Sequence, residues 1–587
     1  MLTMPKADVA IVGMGWTGAI AARELSAQGL RVVGLERGGF RDTASDFPAP
    51  NALDELKYSG RGALFQDLSR ESLTFRNHPN QTALPMRKLG AFLLGDGLGG
   101  AGVHWNGQHF RFLPADFRMR SHNIERYGQG CITDDMTIQD WGVTYEELEP
   151  HYDRFEYLCG ASGKAGNLQG KIQEGGNPFE GARAREYPLP PMEMGLVQHR
   201  FMDGARKIGL KPYPQPSSNL SRDYTNPDGA QMQACTYCGH CERFGCYNWS
   251  KASPLTTVLP IALRQPTFEL RTGARVTRVE LTPDKKHATG VVYVDQTGRE
   301  VMQPADLVLL CAFQIHNVRL MLLSGIGTPY DPATNTGTVG RNFSYQTVST
   351  ARGFFAKERF NQFAGAGALG AIVDEFNGDN FDHGPHGFIG GGYLIGQNTG
   401  LRPIEQRVLP DGAPRWGEGW KQANNHWYDR NVNVGTHGGS TSRRQNYISL
   451  DPTYTDDLGL PLARMTFDFA PNDLRMRDFL TDRAAEIVRA MEPDSVQVSK
   501  PPVPTSIVPY QTTHICGGAV MGTDPATSAV NRRLQSWDVP NVFSIGASAY
   551  PQNAGYNPTN TVGAITYWAL EGIQKSYLKN PGKIVEM

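Results

Sequence analysis

One short stretch near the N-terminus constrains the fold more than anything else in the chain. Residues 8–12 are apolar and β-branched, residues 16–28 carry apolar side chains at helical spacing up to Gly29, and residues 31–35 form a second apolar run. Between the first run and the helix lies Gly13-Met14-Gly15-Trp16-Thr17-Gly18, and Glu36 closes the second run, 18 residues after Gly18. Strand, glycine turn, helix and strand with a terminal acid make a dinucleotide site. Gly13 makes the turn, Gly15 lets backbone reach a pyrophosphate, and Gly18 permits close helix–strand packing. Trp16 and Thr17 open the helix whose N-terminus faces the phosphates, and Glu36 takes ribose hydroxyls. An acid there suits FAD or NAD rather than NADP, and the motif alone does not separate those two.

The same pattern returns later. Residues 275–281 and 288–295 alternate, 296–298 turn, and 306–310 are continuously apolar, as in a buried parallel strand. A helix over 314–324 stops at Gly325; near the C-terminus a strand over 541–545, Gly546 and a helix over 561–577 repeat the order. The expected fold class is α/β, with a discontinuous dinucleotide-binding domain built from 1–150, 235–342 and 501–587. Residues 151–234 connect, and 343–500 form a second domain.

Glycine is in excess, 66 of 587 residues, about 11% against a usual ~7%. Much of it lies in loops, above all Gly95-Asp96-Gly97-Leu98-Gly99-Gly100-Ala101-Gly102, which runs into Val103-His104-Trp105-Asn106-Gly107. Glycines beside such a segment suit backbone packed on a planar ligand. Fifty-seven basic against 58 acidic residues give a net charge of −1, so no nucleic-acid footprint is present. The longest apolar run, residues 307–313, has seven residues, against about 20 needed to span a bilayer. Residues 1–6 do not resemble a signal peptide.

Cysteine is scarce, eight residues, yet Cys235, Cys238, Cys241 and Cys246 fall within twelve positions. The low total argues against a disulfide scaffold. Zinc usually takes ligands from two separated knuckles, whereas the C-x2-C-x2-C run suits an iron–sulfur cluster. The fourth spacing is longer than in the ferredoxin run and no proline follows, so three ligands and a [3Fe–4S] cluster are expected, with the choice of three open. Zinc or free thiols are the alternatives. His240, Phe244, Tyr247 and Trp249 border these cysteines as a docking face for an electron carrier or as a shield. Cys131, Cys159, Cys311 and Cys516 stand apart.

Together these segments resemble the glucose–methanol–choline (GMC) oxidoreductases, FAD-dependent enzymes acting on alcohols. The resemblance rests on Gly99-Gly100-Ala101-Gly102-x3-Asn106-Gly107, on residues 311–314 through 322–327, on Val339-Gly340-Arg341-Asn342, and on the C-terminal loops Thr513-His514-Ile515-Cys516-Gly517-Gly518 and Asn557-Pro558-x2-Thr561-Val562. It implies FAD rather than NAD, a GMC-type Rossmann-like domain with an α+β substrate domain built on an antiparallel sheet, and FAD contacts from Gly13, Gly15, Trp16, Thr17, Gly18, Glu36, Gly100, Gly102, Asn106, Val276, Gly546, Ala547, Asn557 and Thr559. It also implies His514 as the base taking the hydroxyl proton, with Asn557 holding the same hydroxyl.

The cysteine loop, the following Ser250-Lys251-Ala252-Ser253-Pro254 and the segment Asp382-His383-Gly384-Pro385-His386-Gly387 are similar to the iron–sulfur branch of that family, the flavoprotein subunits of bacterial three-subunit dehydrogenases. That branch oxidises gluconate, fructose, sorbitol or glucose, and the gluconate enzymes match best. The likeness implies oxidation of an aldonic acid, a small partner subunit carrying the export signal, a multihaem cytochrome c subunit passing electrons to ubiquinone, and a place on the periplasmic side of the inner membrane. A polyol substrate, an oxygen-using oxidase and a silent electron-transfer subunit are the other readings. An anionic substrate calls for a cation, and Arg443 and Arg444 are the candidates.

Overall fold

The computed structural model describes residues 1–47, 64–88, 90, 92–400, 408–509 and 512–584. An eight-stranded sheet forms the first layer. Its strands run in the order Phe268–Thr272, Val32–Glu36, Ala7–Val12, Glu300–Leu310, Ala288–Val294 and Arg275–Leu281, while Leu2–Thr3 and Val542–Ser544 also pair with Glu300–Leu310. Four of these strands (Phe268–Thr272, Val32–Glu36, Ala7–Val12 and the far half of Glu300–Leu310) lie parallel, joined by Val542–Ser544.

The strand Glu300–Leu310 is longer than the 306–310 expected, because it serves two partners. Its first half pairs antiparallel with Ala288–Val294, where Pro304 faces Gly290, and its second half pairs parallel with Ala7–Val12. Leu307–Leu310 in the parallel half are all buried and apolar, whereas the antiparallel half places Gln303 among its buried residues, so only the parallel half reads as continuously apolar. Register brings Leu310 opposite Val12, so Gly13 meets the turn at Cys311. A Cβ on Gly13 would lie 2.6 Å from the Cys311 carbonyl, and its φ of +93° suits glycine alone.

The helix Trp16–Ser26 and the helix Gln314–Ser324 follow these strand ends. The first stops two residues earlier than expected, with Gly29 at φ +82° in the exit turn. The C-terminal helix begins at Thr559, directly after Pro558, and its last turn over Ile573–Tyr577 widens to a π-helix. Proline fixes its own φ near the helical value and needs no N–H partner at a helix start, which brings the helix two residues forward of the expected 561.

A second, six-stranded antiparallel sheet has the order Ser495–Ser499, Thr347–Phe354, Asn431–Gly438, Gly392–Gln397, Gly370–Val373 and Tyr213–Pro214. The helices Pro471–Ala490 and Leu196–Lys207 cover its outer face, burying Met476, Leu480, Ala484, Val488, Phe201 and Ala205 against Val432, Val434 and Leu394. Each of these side chains larger than alanine contributes about 1.5–3 kcal/mol on burial. A smaller sheet joins Tyr447–Thr455 and Pro461–Thr466 to Leu73–Arg76 and Leu84–Pro85. Among the described residues no helix is long and apolar enough to cross a membrane.

Candidate active site

A cavity of about 410 Å³ runs between the first sheet and the six-stranded sheet. Glu36 lies at one end of it, and Thr512, Thr513, His514 and Asn557 line it with His437 and Gln397 of the second sheet.

At the Glu36 end, the carboxylate accepts hydrogen bonds from the backbone N–H groups of Met14 (3.0 Å) and Gly38 (2.9 Å). Burial pushes its pKa up, and those two N–H donors oppose the rise. Beside it, Arg37 and Arg319 pair with Glu71 at 2.9 and 2.6 Å, and Arg319 and Arg275 pair with Asp456 at 2.7 and 2.6 Å.

No side chain caps the helix Trp16–Ser26, whose N-cap is Gly15, so its first N–H groups are left for a ligand. The buried Trp16 Nε1 has no hydrogen-bond partner among the described residues. This uncapped helix end, the close backbone at Gly13 and the buried acid fit a dinucleotide. Gly13, Gly15, Trp16, Thr17, Glu36, Gly100, Gly102, Asn106, Val276, Gly546, Ala547, Asn557 and Thr559 all line this one cavity. Gly18 does not; it sits beneath, where a Cβ would come within 1.9 Å of the Gly13 carbonyl.

At the far end, His514 is held on both ring nitrogens. Nδ1 donates to Gln346 Oε1 at 2.6 Å, and Asn557 Nδ2 lies 3.1 Å from Nε2. The assignment of protons follows from Gln346, which is fully buried. Its Nε2 donates 2.7 Å to the Gly555 carbonyl, a group that can only accept. The amide oxygen therefore faces the imidazole, and an oxygen acceptor requires Nδ1 to carry the proton. Nε2 of His514 is left as a lone pair.

Asn557 is oriented in the same way, since the buried Tyr393 hydroxyl donates to its Oδ1. Burial, and then the neighbouring His437, push the His514 pKa down to about 3, so the neutral form prevails throughout the usual working range. Backbone pairing explains why these pieces meet. Ser344 and Cys516 exchange two hydrogen bonds of 3.0 and 2.9 Å, setting Gln346 beside the loop that carries His514.

Gln346, Tyr393 and His437 are absent from the sequence-derived candidates. Tyr393 and His437 face each other across paired strands with rings stacked 5.0 Å apart. The one sequence signal for Gln346 is its position four residues after Val339-Gly340-Arg341-Asn342. The expectation for a substrate cation fails in its residues. Arg443 is ion-paired with Asp135, Arg444 bonds the carbonyls of Pro332 and Ala333, and neither lines the cavity. The guanidinium groups that do line it, among the described residues, belong to Arg37, Arg243, Arg275 and Arg319.

Arg243 comes from the cysteine loop, whose wall adjoins the same cavity. A Cβ on Gly367 would meet both the Asn106 carbonyl (2.2 Å) and the Cys241 side chain (2.8 Å). The fully buried Lys251 ties the two segments together, its ammonium donating to the carbonyls of Trp105 (2.7 Å), Cys241 (2.9 Å) and Phe244 (2.8 Å).

Cys235, Cys238, Cys241 and Cys246 are all unpaired thiols. Burial pushes Cys235 up to about 12 and Cys241 higher still, and the neighbouring thiols add to the rise in both. Four thiols within one another's field suit iron in chemistry and number. Among the described residues, however, no three Cys, His, Asp or Glu side chains are gathered into a metal-holding group. His240 and Phe244 are buried and pack edge to face, while Tyr247 and Trp249 are half-buried.

The comparisons agree with this geometry. Residues 192–348 and 441–566 match the two GMC oxidoreductase family models, and 8–145 match that of the FAD dependent oxidoreductases. A gluconate 2-dehydrogenase flavoprotein of Pantoea cypripedii is 50% identical, over 99% of this chain and 96% of its own. The fructose dehydrogenase large subunit of Gluconobacter japonicus is 24% identical, over 97% of both chains. Among solved structures, the pyridoxine 4-oxidase of Mesorbium loti superposes with a TM-score of 0.56 at 17% identity, covering 96% of this chain and 99% of that one, and shares the fold. On this evidence the chain belongs to the GMC oxidoreductase family and is an FAD-dependent dehydrogenase acting on CH–OH groups.

Proposed function

We propose that the chain is the flavoprotein subunit of a gluconate 2-dehydrogenase, oxidising the C2 alcohol of gluconate to 2-ketogluconate. The observation that carries the chemistry is the unprotonated Nε2 of His514 facing Asn557 Nδ2 at 3.1 Å. A substrate hydroxyl entering between them accepts from Asn557 and donates to His514. His514 takes the hydroxyl proton at Nε2 while Asn557 fixes the alcohol oxygen, so the C–H bond is held in one direction. FAD, when bound, supplies the acceptor for the hydride leaving that carbon. Gly13, Gly15, Trp16, Thr17, Glu36, Gly100, Gly102, Asn106, Val276, Gly546, Ala547, Asn557 and Thr559 would hold it, with Gly18 packing the helix beneath them. The choice of gluconate rests on the 50% identity with the Pantoea protein of that name. Arg243, on the cavity wall, is the cation assigned to the carboxylate.

Three of Cys235, Cys238, Cys241 and Cys246 would hold a [3Fe–4S] cluster, which supplies one-electron transfer when bound. Supporting this are the spacing, the influence of the neighbouring thiols on Cys235 and Cys241, and the loop's contact with the Asn106 segment. The rest of the complex follows the same reading: a small subunit carrying the export signal, a multihaem cytochrome c subunit and ubiquinone, on the periplasmic side of the membrane. The test is a panel of gluconate, 2-ketogluconate, fructose, sorbitol and glucose with an artificial electron acceptor. Gluconate is expected to turn over fastest; turnover of fructose or sorbitol without gluconate would refute the substrate and leave the reaction class standing.

A further inference from the structure

Gln346 carries a second imidazole on the same oxygen. His437 Nδ1 lies 3.1 Å from Gln346 Oε1, the atom that also accepts from His514. Since the Gly555 carbonyl fixes the amide orientation, Nδ1 of His437 must also be a donor, and its Nε2 is a second lone pair. Among the described residues none hydrogen-bonds that atom, and His437 lines the cavity. The ring is immobilised: it stacks on Tyr393 with an interplanar angle of 5°. The two imidazole centroids stand 6.2 Å apart. Hydroxyls on neighbouring carbons of an open-chain polyol can reach both.

We propose that His437 is a specificity-determining residue that accepts a hydrogen bond from a second substrate hydroxyl, on the carbon next to the one oxidised at His514. The inference rests on the proposed alcohol-oxidising role of His514, and it makes the site a reader of hydroxyl pairs rather than of single alcohols. Burial supports it by pushing the His437 pKa down to about 4, which keeps the ring an acceptor at neutral pH. A substrate lacking the second hydroxyl leaves an acceptor unpaired in an enclosed site, a loss worth roughly tenfold or more in kcat/KM.

The experiment compares kcat/KM of the FAD-loaded wild type, H437F and H437Q on two pairs: gluconate against 3-deoxygluconate, and propane-1,2-diol against propan-2-ol. The wild type is expected to prefer the hydroxylated member of each active pair at least tenfold. In H437F the preference should fall to within a few-fold, and H437Q, which keeps an acceptor, should restore part of it. A general structural defect would lower both members together and leave the ratio unmoved. An H437F variant that keeps the wild-type ratio, or a wild type that does not discriminate within either pair, overturns the proposal. Should H437F not hold FAD, the wild-type and H437Q ratios decide alone. A wild type inert to gluconate but active on the diol refutes the gluconate assignment, and the diol pair then decides the role of His437.

Discussion

The two ends of the reaction path are built differently. At the alcohol end the protein itself sets the base: Gly555 orients Gln346, Gln346 sets the His514 tautomer, and Tyr393 orients Asn557. In the cysteine loop the thiols are close but not gathered into a metal-holding group. The loop also carries Tyr237, Arg243 and Trp249 at φ of +53°, +66° and +52°, left-handed values that cost non-glycine residues energy. Lys251 anchors it at one side. Hydrogen bonds thus preorganise the base, whereas on the proposed reading the loop is completed only when a cluster binds, and that binding energy would become folding energy.

The largest effect expected from breaking this contrast is at His514. Replacing His514 by Ala should lower kcat by about 10²–10⁴-fold, the usual weight of a general base, while FAD stays bound. Next comes the metal. Iron-free protein, or C241S, should keep substrate-driven flavin reduction but lose turnover with the natural acceptor, and hydrogen exchange should rise in 235–249 and not around His514. Protection lost equally at both ends would erase the distinction.

A Gln346→Leu variant keeps the base but frees its tautomer. It should cost roughly 10–100-fold in kcat with a smaller change in KM, as read from steady-state kinetics. The mildest effect concerns pH. A base whose pKa is lowered to about 3 is unprotonated above that value, so the acid limb of kcat should lie well below the ordinary histidine value near ~6.5. Stability has the same sign: the folded chain resists protonation of His514 and His437 while the unfolded chain does not. Their contribution is present above about pH 6.5 and is lost as pH falls toward 4 and 3. A pH series of thermal midpoints checks this.

How much of this was legible in the sequence depends on where the information lies. The dinucleotide fold is local: turn, helix and strands fall within 30 residues, and the structure gives Ala7–Val12, Trp16–Ser26 and Val32–Glu36 almost as read. His514 and Asn557 were found through motif resemblance, because no spacing rule links residues 43 apart. Tyr393 and His437 escaped because they come from strands of the second sheet, where polar groups alternate with apolar ones in any half-buried strand, and Gln346 because it lies in irregular chain just before one. Arg443 was misjudged for a like reason: its partner Asp135 lies 308 positions away.

The central claim is that His514 is the base and that the protein alone prepares it. Anaerobic mixing of gluconate with the FAD-loaded protein, following flavin absorbance, tests it most directly. The wild type should bleach rapidly, and the His514→Ala variant, with equal FAD content, should bleach at least about a hundredfold more slowly. Bleaching of that variant at the wild-type rate would contradict the account.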